Sequence, residues 1–474
     1  MFKKKPQKRM DDIWSAEEVW TPPAPGAGND WLQEDEAFGN PFEEPAEQTP
    51  RKKSSGPNRS RLVFPLAVVA VILGLALTRL PKKHAHIWAD ADCRSPKICL
   101  ECGETEGAAL GHNWQKASLN MPETCFRCGE TRGETLSDGV FSEADRYLLE
   151  GKYRQAIQLM DEAYRQYGDR QFLDLASDYR LALSNYHSAR VAAGKHNTLM
   201  VYPDGSVAIV GENKFGELEA ASWQSMASVC AGDEFVLGLR KNGTVVGAGR
   251  NKYREYGNVE SWRNVLAISA GDFHAVGLLA DGTIVSAPGY NHCGAADVEQ
   301  LNVAAGDRRI VAVSAGYDHT LVLLEDGTVL ACGDRPTSEN KENGVCQVQH
   351  WREIAAICSG TEFCAGLKTD GTVVVAGVYW DLHHWTDVHS LSAGDFFLVG
   401  LKDDGTVLLQ IQENEYKSDQ VQALSLVREW TDMVYIAAGH DHIIGIRADG
   451  KVLCVGLKTE GQCALQGSMV PMQG

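Results

Sequence analysis

A repeated glycine spacing constrains the fold of this chain more than any other feature of its 474 residues. In the second half of the sequence, a small residue followed by glycine recurs seven times, and an Asp-Gly or Asn-Gly pair ends eleven residues after each such glycine. These seven pair glycines are Gly194, Gly232, Gly271, Gly316, Gly360, Gly394 and Gly439. Units of 34 to 45 residues with three or four strands each predict one β-propeller blade per repeat.

The other positions that recur from repeat to repeat have structural interpretations. Residues 320–330 form two apolar runs around an Asp-Gly pair, which is the strongest short signal for a β-hairpin. Five repeats have tryptophan nine residues before the pair glycine, and this recurrence predicts packing rather than ligand binding. His274, His319 and His442 share a position that is phenylalanine in three other repeats, so we predict that it is a core position. The eight cysteines of the repeats, including Cys230 and Cys358 at equivalent positions, are predicted to be buried fillers.

The segments at residues 313–333 and 436–456 resemble the regulator of chromosome condensation repeat family, in its bacterial form. The resemblance extends over about three fifths of the chain, from residue 191 to residue 474. It implies a seven-bladed propeller that binds proteins, because members of this family include an exchange factor for a small GTPase and an inhibitor of β-lactamases. Neither activity resides in the repeat motif itself.

The predicted fold class is therefore an all-β seven-bladed propeller at residues 188–474, preceded by four smaller segments. These segments are a disordered tail at 1–61, a transmembrane helix at 62–80, duplicated Cys-rich repeats at 84–134 and a helical spacer at 141–187.

The transmembrane prediction rests on residues 62–78, which carry no charge and lie between Arg61 and Arg79. A run of this length is at the short end of what crosses a bilayer as a helix. A buried helix of a soluble domain is the alternative, but it would show a polar side. More Lys and Arg residues precede the run than follow it, which predicts a cytoplasmic N-terminus and an extracellular propeller.

The tail has the composition of a disordered segment. It holds eight of the sixteen prolines, and eleven acidic residues with no basic one lie between Asp11 and Pro50. Its aromatic residues are either short docking anchors or parts of an inert polyampholyte; they are Trp14, Trp20, Trp31 and Phe38.

Two Cys-rich repeats, 26 residues apart, share the pattern His-x-Trp followed by Cys-x-x-Cys-Gly. Two such turns can complete one closed tetrahedral zinc shell. The predicted ligands of this structural zinc are Cys99, Cys102, Cys125 and Cys128. Two disulfides are the alternative, since the repeats are predicted to lie outside the cell. Cys93 has no counterpart in the second repeat, where Leu119 stands, so this fifth cysteine is either a substitute for one of the four ligands or a free thiol. The repeats resemble short Cys-rich units of exported proteins from Gram-positive bacteria.

The spacer at 141–187 has apolar residues at helical spacing, and it resembles one tetratricopeptide unit. A single unit cannot bury its apolar face alone. We therefore expect it to pack against the propeller or its own third helix, with a peptide-binding groove as the alternative.

Partner-binding residues are predicted in the variable connections between blades, because loops on a rigid scaffold usually carry function. Aromatic and basic side chains there have the chemistry of interface hot spots. The candidates are Tyr290, His292, Tyr379, Trp380, His383 and Tyr416.

The functional prediction is a membrane-anchored, non-catalytic, monomeric scaffold on the bacterial cell surface that binds a protein or a cell-envelope ligand. Residues from 191 onward include 35 acidic and 20 basic residues, which disfavours nucleic acid as a partner. The sequence has no GxSxG, P-loop or HExxH motif, so no enzymatic activity is predicted. The alternatives are a transmembrane signalling protein, or a propeller that acts as an exchange factor or enzyme inhibitor.

Overall fold

The computed structural model describes residues 85–185, 190–252, 254–287, 295–333 and 344–471. The predicted tail and transmembrane helix lie outside these ranges. Among the helices within them, none is both long and apolar enough to cross a membrane. The chain divides into two compact units, whose described parts are residues 85–136 and 137–471.

The first unit contains two short antiparallel sheets, one for each Cys-rich repeat. In both sheets the register pairs a tryptophan with the first cysteine of the Cys-x-x-Cys turn, Trp88 with Cys99 and Trp114 with Cys125. The 26-residue offset of the sequence is thus repeated in the backbone. The strands are β1 (Trp88–Ala89), β2 (Lys97–Cys99), β3 (Thr105–Glu106), β4 (Trp114–Gln115), β5 (Glu123–Cys125) and β6 (Thr131–Arg132).

Three helices follow: α1 (Leu136–Leu149), α2 (Tyr153–Tyr167) and α3 (Arg170–Asn185). The second ends at Gly168, which has a positive φ of 69° and donates its N–H to the carbonyl of Tyr164. The first helix begins five residues before the predicted spacer. The resemblance to a tetratricopeptide unit stays a prediction.

Seven three-stranded antiparallel sheets occupy residues 191–456, one for each sequence repeat. In chain order they are β7 (Val191–Ala193), β8 (Asn197–Val201) and β9 (Val207–Gly211); β10 (Met226–Ala231), β11 (Phe235–Arg240) and β12 (Val245–Gly249); β13 (Val265–Ala270), β14 (Ala275–Leu279) and β15 (Ile284–Ala287); β16 (Ile310–Ala315), β17 (Thr320–Leu324) and β18 (Val329–Cys332); β19 (Ile354–Ser359), β20 (Cys364–Lys368) and β21 (Val373–Ala376); β22 (Val388–Ala393), β23 (Phe397–Lys402) and β24 (Val407–Ile411); and β25 (Met433–Ala438), β26 (His442–Arg447) and β27 (Val452–Gly456).

Short helices lie in the connections between these sheets, where the sequence predicted only loops. They are α4 (Ala295–Ala305), α5 (Ser418–Ser425) and the 3₁₀ helices Glu217–Ser222, Val259–Ser261, Glu413–Glu415 and Leu426–Glu429.

The inner strands of neighbouring sheets contact one another in chain order, and β25 of the last sheet contacts β7 of the first. Side chains continue this contact: His442 Nε2 lies 2.8 Å from Thr198 Oγ1. The same bond links His274 to Thr320 in the next sheet, also at 2.8 Å. The sheets therefore form a propeller-like ring of three-stranded blades, and the predicted all-β propeller architecture is confirmed at this level.

The five repeated tryptophans pack as predicted, and they also explain a glycine in the middle strand of their five sheets. The ring of Trp351 lies against Gly366, where an added Cβ would come within 2.9 Å of it. The same pairing joins Trp223, Trp262, Trp385 and Trp430 to Gly238, Gly277, Gly400 and Gly445. All five tryptophans are buried.

The histidines at the shared repeat position are also buried, as predicted. Burial lowers the pKa of His274 to about 4 and that of His319 and His442 to about 3. These imidazoles are therefore neutral at physiological pH, in keeping with their exchange for phenylalanine in other repeats.

The inner strands surround a central chamber of about 200 Å³ that is lined mainly by alanine, serine and valine. Residues 183–185 at the end of α3 contribute to its lining, and Asn185 Nδ2 donates to the carbonyl of Leu266 at 3.2 Å. Leu181 of the same helix joins the apolar core of the third and fourth sheets. The predicted packing of the helical spacer against the propeller is confirmed.

Two of the eight cysteines predicted to be fillers have another role. Cys454 of β27 and Cys463, which follows that strand, form a disulfide. The sequence did not predict this bond, because the two residues lie in one repeat and have no counterparts in the others. Cys230 and Cys358 are free thiols, and burial raises the pKa of both.

Candidate functional site

One candidate site lies in the unit at residues 85–136, where each sheet carries a Cys-x-x-Cys-Gly turn. Gly103 and Gly129 have φ values of 76° and 73°, and their N–H groups donate to the carbonyls of Cys99 and Cys125. Burial raises the pKa of Cys125, but the backbone N–H groups of Cys128 and Arg127 lower it to about 5. The second turn therefore favours the thiolate of Cys125, which is the form that binds metals.

The second turn belongs to a group of four metal donors, Cys93, His112, Cys125 and Cys128, whose ligand atoms all lie within 4.8 Å of one another. The sulfurs of Cys93 and Cys125 are 3.6 Å apart, and Cys128 Sγ is 3.5 Å from His112 Nδ1. A tetrahedral zinc ion with ordinary bond lengths needs separations of about 3.8 Å between sulfurs and about 3.5 Å between sulfur and nitrogen. The group therefore fits a zinc ion.

The first turn belongs to a separate group of three donors: His86, Cys99 and Cys102. Cys102 Sγ lies 3.4 Å from His86 Nδ1, which again matches ligands of one tetrahedral ion.

Both histidines have the same outer contacts. His86 Nε2 is 3.3 Å from a carboxylate oxygen of Glu104, and His112 Nε2 is 3.4 Å from one of Glu130. A carboxylate on the far nitrogen fixes the imidazole with Nδ1 directed at the metal position. Each histidine also stacks on the tryptophan two residues later, with ring centroids 5.1 and 4.9 Å apart. The repeated His-x-Trp and Cys-Gly-Glu patterns are thereby explained.

The structure does not bring the four predicted ligands Cys99, Cys102, Cys125 and Cys128 into one group. The two turns belong to different sheets, and each groups with a histidine rather than with the other turn. None of these four cysteines is in a disulfide. Sequence reasoning missed His86 and His112, although the repetition of His-x-Trp at the same offset as Cys-x-x-Cys was a signal for them. Of the two roles it left open for Cys93, the structure places this residue with the donors of the second turn.

A second candidate site lies on the propeller, on the face that carries the residues next to the pair glycines. We call this the mouth face; the Asp-Gly turns lie at the opposite ends of the strands and form the turn face. The residues directly after the seven pair glycines are Lys195, Asp233, Asp272, Tyr317, Thr361, Asp395 and His440. Sequence reasoning missed this ring of seven residues. The signal for it was that the residue after the pair glycine differs in chemistry from repeat to repeat, whereas the pair glycine before it is the same in all seven.

His440 joins three blades across the mouth of the chamber. Its Nδ1 lies 3.0 Å from Asp395 of the neighbouring blade, and its Nε2 lies 3.3 Å from Asp272 of the third blade. Burial alone would lower the pKa of His440, but the hydrogen bonds to these carboxylates raise it to about 10. Beside them, Lys195 Nζ is 2.8 Å from Asp233 Oδ1, and this contact outweighs burial and raises the pKa of Lys195.

Raising the pH is expected to weaken the propeller through His440. The folded pKa of about 10 lies above the ordinary value of 6.5, so the stabilisation is complete below pH 6.5 and is lost as the pH rises through 10. The charged groups around the His440 imidazole are Asp272 and Asp395, which bond to it, and Asp441, whose pKa it acts to lower. Lys195 acts on Asp441 in the same direction. In urea unfolding, the stability advantage of wild type over His440→Gln should shrink between pH 6.5 and pH 10.

The control for this experiment is His383→Gln, because that ring is exposed. A stability difference between wild type and His440→Gln that stays constant over this pH range would show that the buried ring is not charged in the folded protein.

The residues predicted to bind a partner differ in their exposure and in their contacts. Tyr379 is 86% exposed, and the exposed His383 bonds to the neighbouring Asp381. Trp380 packs on Phe363 with ring centroids 4.7 Å apart. Tyr416 is half-buried; its hydroxyl donates to the carbonyl of His440 at 3.0 Å, and burial raises its pKa. Tyr290 and His292 lie outside the described residues.

Two segments of the chain, residues 310–335 and 433–462, match the family model of the Regulator of chromosome condensation (RCC1) repeat. The chain therefore carries this repeat in its fourth and seventh blades, and the predicted resemblance is confirmed there. No curated protein sequence matches the chain.

Among solved structures, the chain is similar to the CRINKLY WD40 ectodomain of the Arabidopsis thaliana receptor kinase ACR4, at 19% identity over 57% of this chain and 97% of that one, with a TM-score of 0.42. The ectodomain of the Physcomitrella patens receptor kinase CR4 gives 20% identity over 56% and 72%, with a TM-score of 0.44. Yeast RCC1 (Prp20), solved with Kap60, gives 17% over 56% and 77%, with a TM-score of 0.38. Similarities of this size carry no argument about function.

Proposed function

We propose that this chain is a non-catalytic binding scaffold, in which a closed seven-bladed propeller presents its mouth face to a protein ligand. The observation that carries the proposal is the difference between the two faces. The chain's own helices cover part of the turn face, whereas the mouth face carries exposed aromatic side chains.

The turn face is engaged within the chain. Arg180 donates to the carbonyls of Glu325 and Ile354, and Arg154 Nη2 lies 2.6 Å from a carboxylate oxygen of Asp403. Both arginines are buried, so this contact is a permanent part of the fold.

The mouth face offers hot-spot chemistry. Tyr379, Phe215 and Tyr317 are 86%, 41% and 37% exposed. The ring of Phe215 has Lys214 and Arg250 near its face, at 5.1 and 5.8 Å. Exposed aromatic and basic residues on rigid connections are typical of protein-binding surfaces.

The finer parts of the proposal rest on the sequence. The predicted helix at 62–80 would anchor the protein in the membrane, with the N-terminus in the cytoplasm and the propeller outside. The two Cys/His groups fit structural zinc. The acidic excess after residue 191 disfavours nucleic acid as ligand, and we expect the protein to be monomeric.

Site-specific photocrosslinking tests the choice of face. A benzophenone amino acid at position 379 of the full-length chain, expressed in its native cells, is expected to give one discrete adduct with a ligand. The matched control is position 149, because Leu149 is 74% exposed but lies at the end of α1. An adduct from position 149 with none from position 379 would overturn the assignment of the mouth face.

A further inference from the structure

We propose that the two Cys-rich repeats hold two metal ions rather than one. The two sites are unequal, because Cys93 of the first repeat completes the site of the second. The second site comprises Cys93, His112, Cys125 and Cys128, and the first comprises His86, Cys99 and Cys102. The inference rests on the structural zinc proposed above, and it goes further by assigning the number of ions, their ligands and their difference in retention.

Cys93 crosses from its own repeat to complete the site of the next. It lies between β1 and β2 of the first sheet, yet its sulfur is 3.6 Å from that of Cys125 in the second sheet. A turn fixes this crossing, because Asp92 Oδ1 accepts the backbone N–H groups of Arg94 and Ser95 at 2.8 and 2.6 Å. The sulfur of Cys93 is therefore held in place by its own loop.

The next residue reinforces the same link. The guanidinium of Arg94 forms an ion pair with Glu130. Glu130 is the carboxylate that contacts Nε2 of His112, a ligand of the second site. Two successive residues of the first repeat thus serve the metal site of the second, one as a ligand and one through the carboxylate that orients a ligand.

This arrangement explains the one cysteine that the duplication does not repeat. The position equivalent to Cys93 in the second repeat is Leu119. If the cysteine at this position completes the site of the following repeat, the last repeat has no use for it. The second repeat is followed by helix α1 rather than by a third Cys-rich repeat, so a leucine there costs no ligand.

The two sites should hold their ions unequally. The described residues supply a closed shell of three sulfurs and one nitrogen at the second site. At the first site they supply two sulfurs and one nitrogen, which leaves one coordination position for a donor from elsewhere, such as water or a bound ligand. We expect the first ion to be released about 10-fold or more faster, since even outer contacts change metal affinity by about 10–100-fold.

Zinc stoichiometry on the full-length chain tests the proposal. The protein is saturated with Zn²⁺, freed of excess metal and measured by mass spectrometry of the element before and after a timed challenge with a colorimetric chelator. The expected result is two zinc ions per chain, of which one resists the challenge.

Four variants assign the ions. Cys125→Ser should remove the resistant ion and keep the labile one. Cys93→Ser should convert the second site into a copy of the first, so that two ions bind but neither resists the chelator. Cys99→Ser should remove the labile ion and keep the resistant one. Leu119→Cys is the matched control: it places a thiol at the equivalent position, and it should bind no third ion.

The outcomes separate this inference from the proposed function. A single zinc per chain that survives Cys93→Ser, and that Cys99→Ser and Cys125→Ser both abolish, would establish one four-cysteine shell and overturn the inference, while structural zinc remained. A chain without zinc whose cysteines are oxidised would overturn both the inference and the structural zinc on which it rests, and would leave the proposed binding scaffold untouched.

Discussion

Replacing Arg180 with alanine is expected to lower the free energy of unfolding of the unit at residues 137–471 by about 3–5 kcal/mol. Its guanidinium is completely buried between α3 and the turn face. It lies 2.6 Å from Asp161 of α2, 2.9 Å from the carbonyl of Glu325 and 3.0 Å from that of Ile354. One side chain therefore joins two helices to two blades.

The size of the effect follows from what the substitution leaves behind. Burial raises the pKa of Asp161 even with Arg180 beside it, so the charged carboxylate is already costly to hold in the fold. Without the guanidinium, this carboxylate and two carbonyls lose their partner inside the protein. Replacing Asp161 as well should therefore recover part of the loss, and a double-mutant cycle of urea unfolding measures this coupling.

The matched control is Arg165→Ala. Arg165 Nη1 is 3.2 Å from Glu353, which belongs to the same turn face, but both side chains are about half exposed. Such a pair contributes roughly 0–1 kcal/mol. If the two substitutions had equal effects, the helices would not be fixed to the propeller through Arg180.

The blade fold could be predicted because its signals are local and repeated. An Asp-Gly or Asn-Gly turn after an apolar run specifies one hairpin, and this pattern occurs in all seven repeats. A tryptophan at a fixed distance specifies the packing of the hairpin in five of them. Trp351 on Gly366 is such a contact: both residues belong to one repeat. The disulfide between Cys454 and Cys463 was missed because it occurs in one repeat alone.

The attachment of the helices was predictable only in part. Helical spacing identifies an apolar face, and Leu181 does enter the core as such a face should. Arg154 and Arg180 count as solvent-exposed positions in any hydrophobic pattern, yet both are buried, because blade carbonyls and Asp403 or Asp161 provide their partners. These partners come from distant parts of the chain, which periodicity cannot identify.

The candidate sites could also be predicted only where their residues lie close together in the sequence. The spacing identified the Cys-x-x-Cys pairs. It could not show that each pair groups with a histidine, or that Cys93 of the first repeat groups with the cysteines of the second. On the propeller, His440 meets Asp272 only because the seventh and third blades converge on the central chamber. Ring closure creates this neighbourhood, and no segment of the sequence contains it.

Ring closure itself gives the second large effect. Gly439→Ala is expected to destabilise the propeller by about 3 kcal/mol or more, since a methyl group there has no room. Its Cβ would lie 2.2 Å from the carbonyl oxygen of Gly194 in the first blade and 2.7 Å from the ring of His442. The backbone of Gly439 is not in the left-handed region, so steric overlap rather than φ strain sets the cost.

The steric overlap disturbs two polar contacts between the last and first blades. The Gly194 carbonyl accepts the N–H of His440 at 3.3 Å, and His442 is the residue bonded to Thr198. Hydrogen exchange should therefore accelerate in β7, β8, β25 and β26 before it does in the third and fourth blades. The control, Gly139→Ala, has open space around its Cβ in helix α1 and should stabilise by up to about 1 kcal/mol. A propeller that is closed by these contacts must weaken first where its last and first blades meet. Uniform acceleration of hydrogen exchange over all blades in Gly439→Ala would therefore show that the ring does not open at this junction.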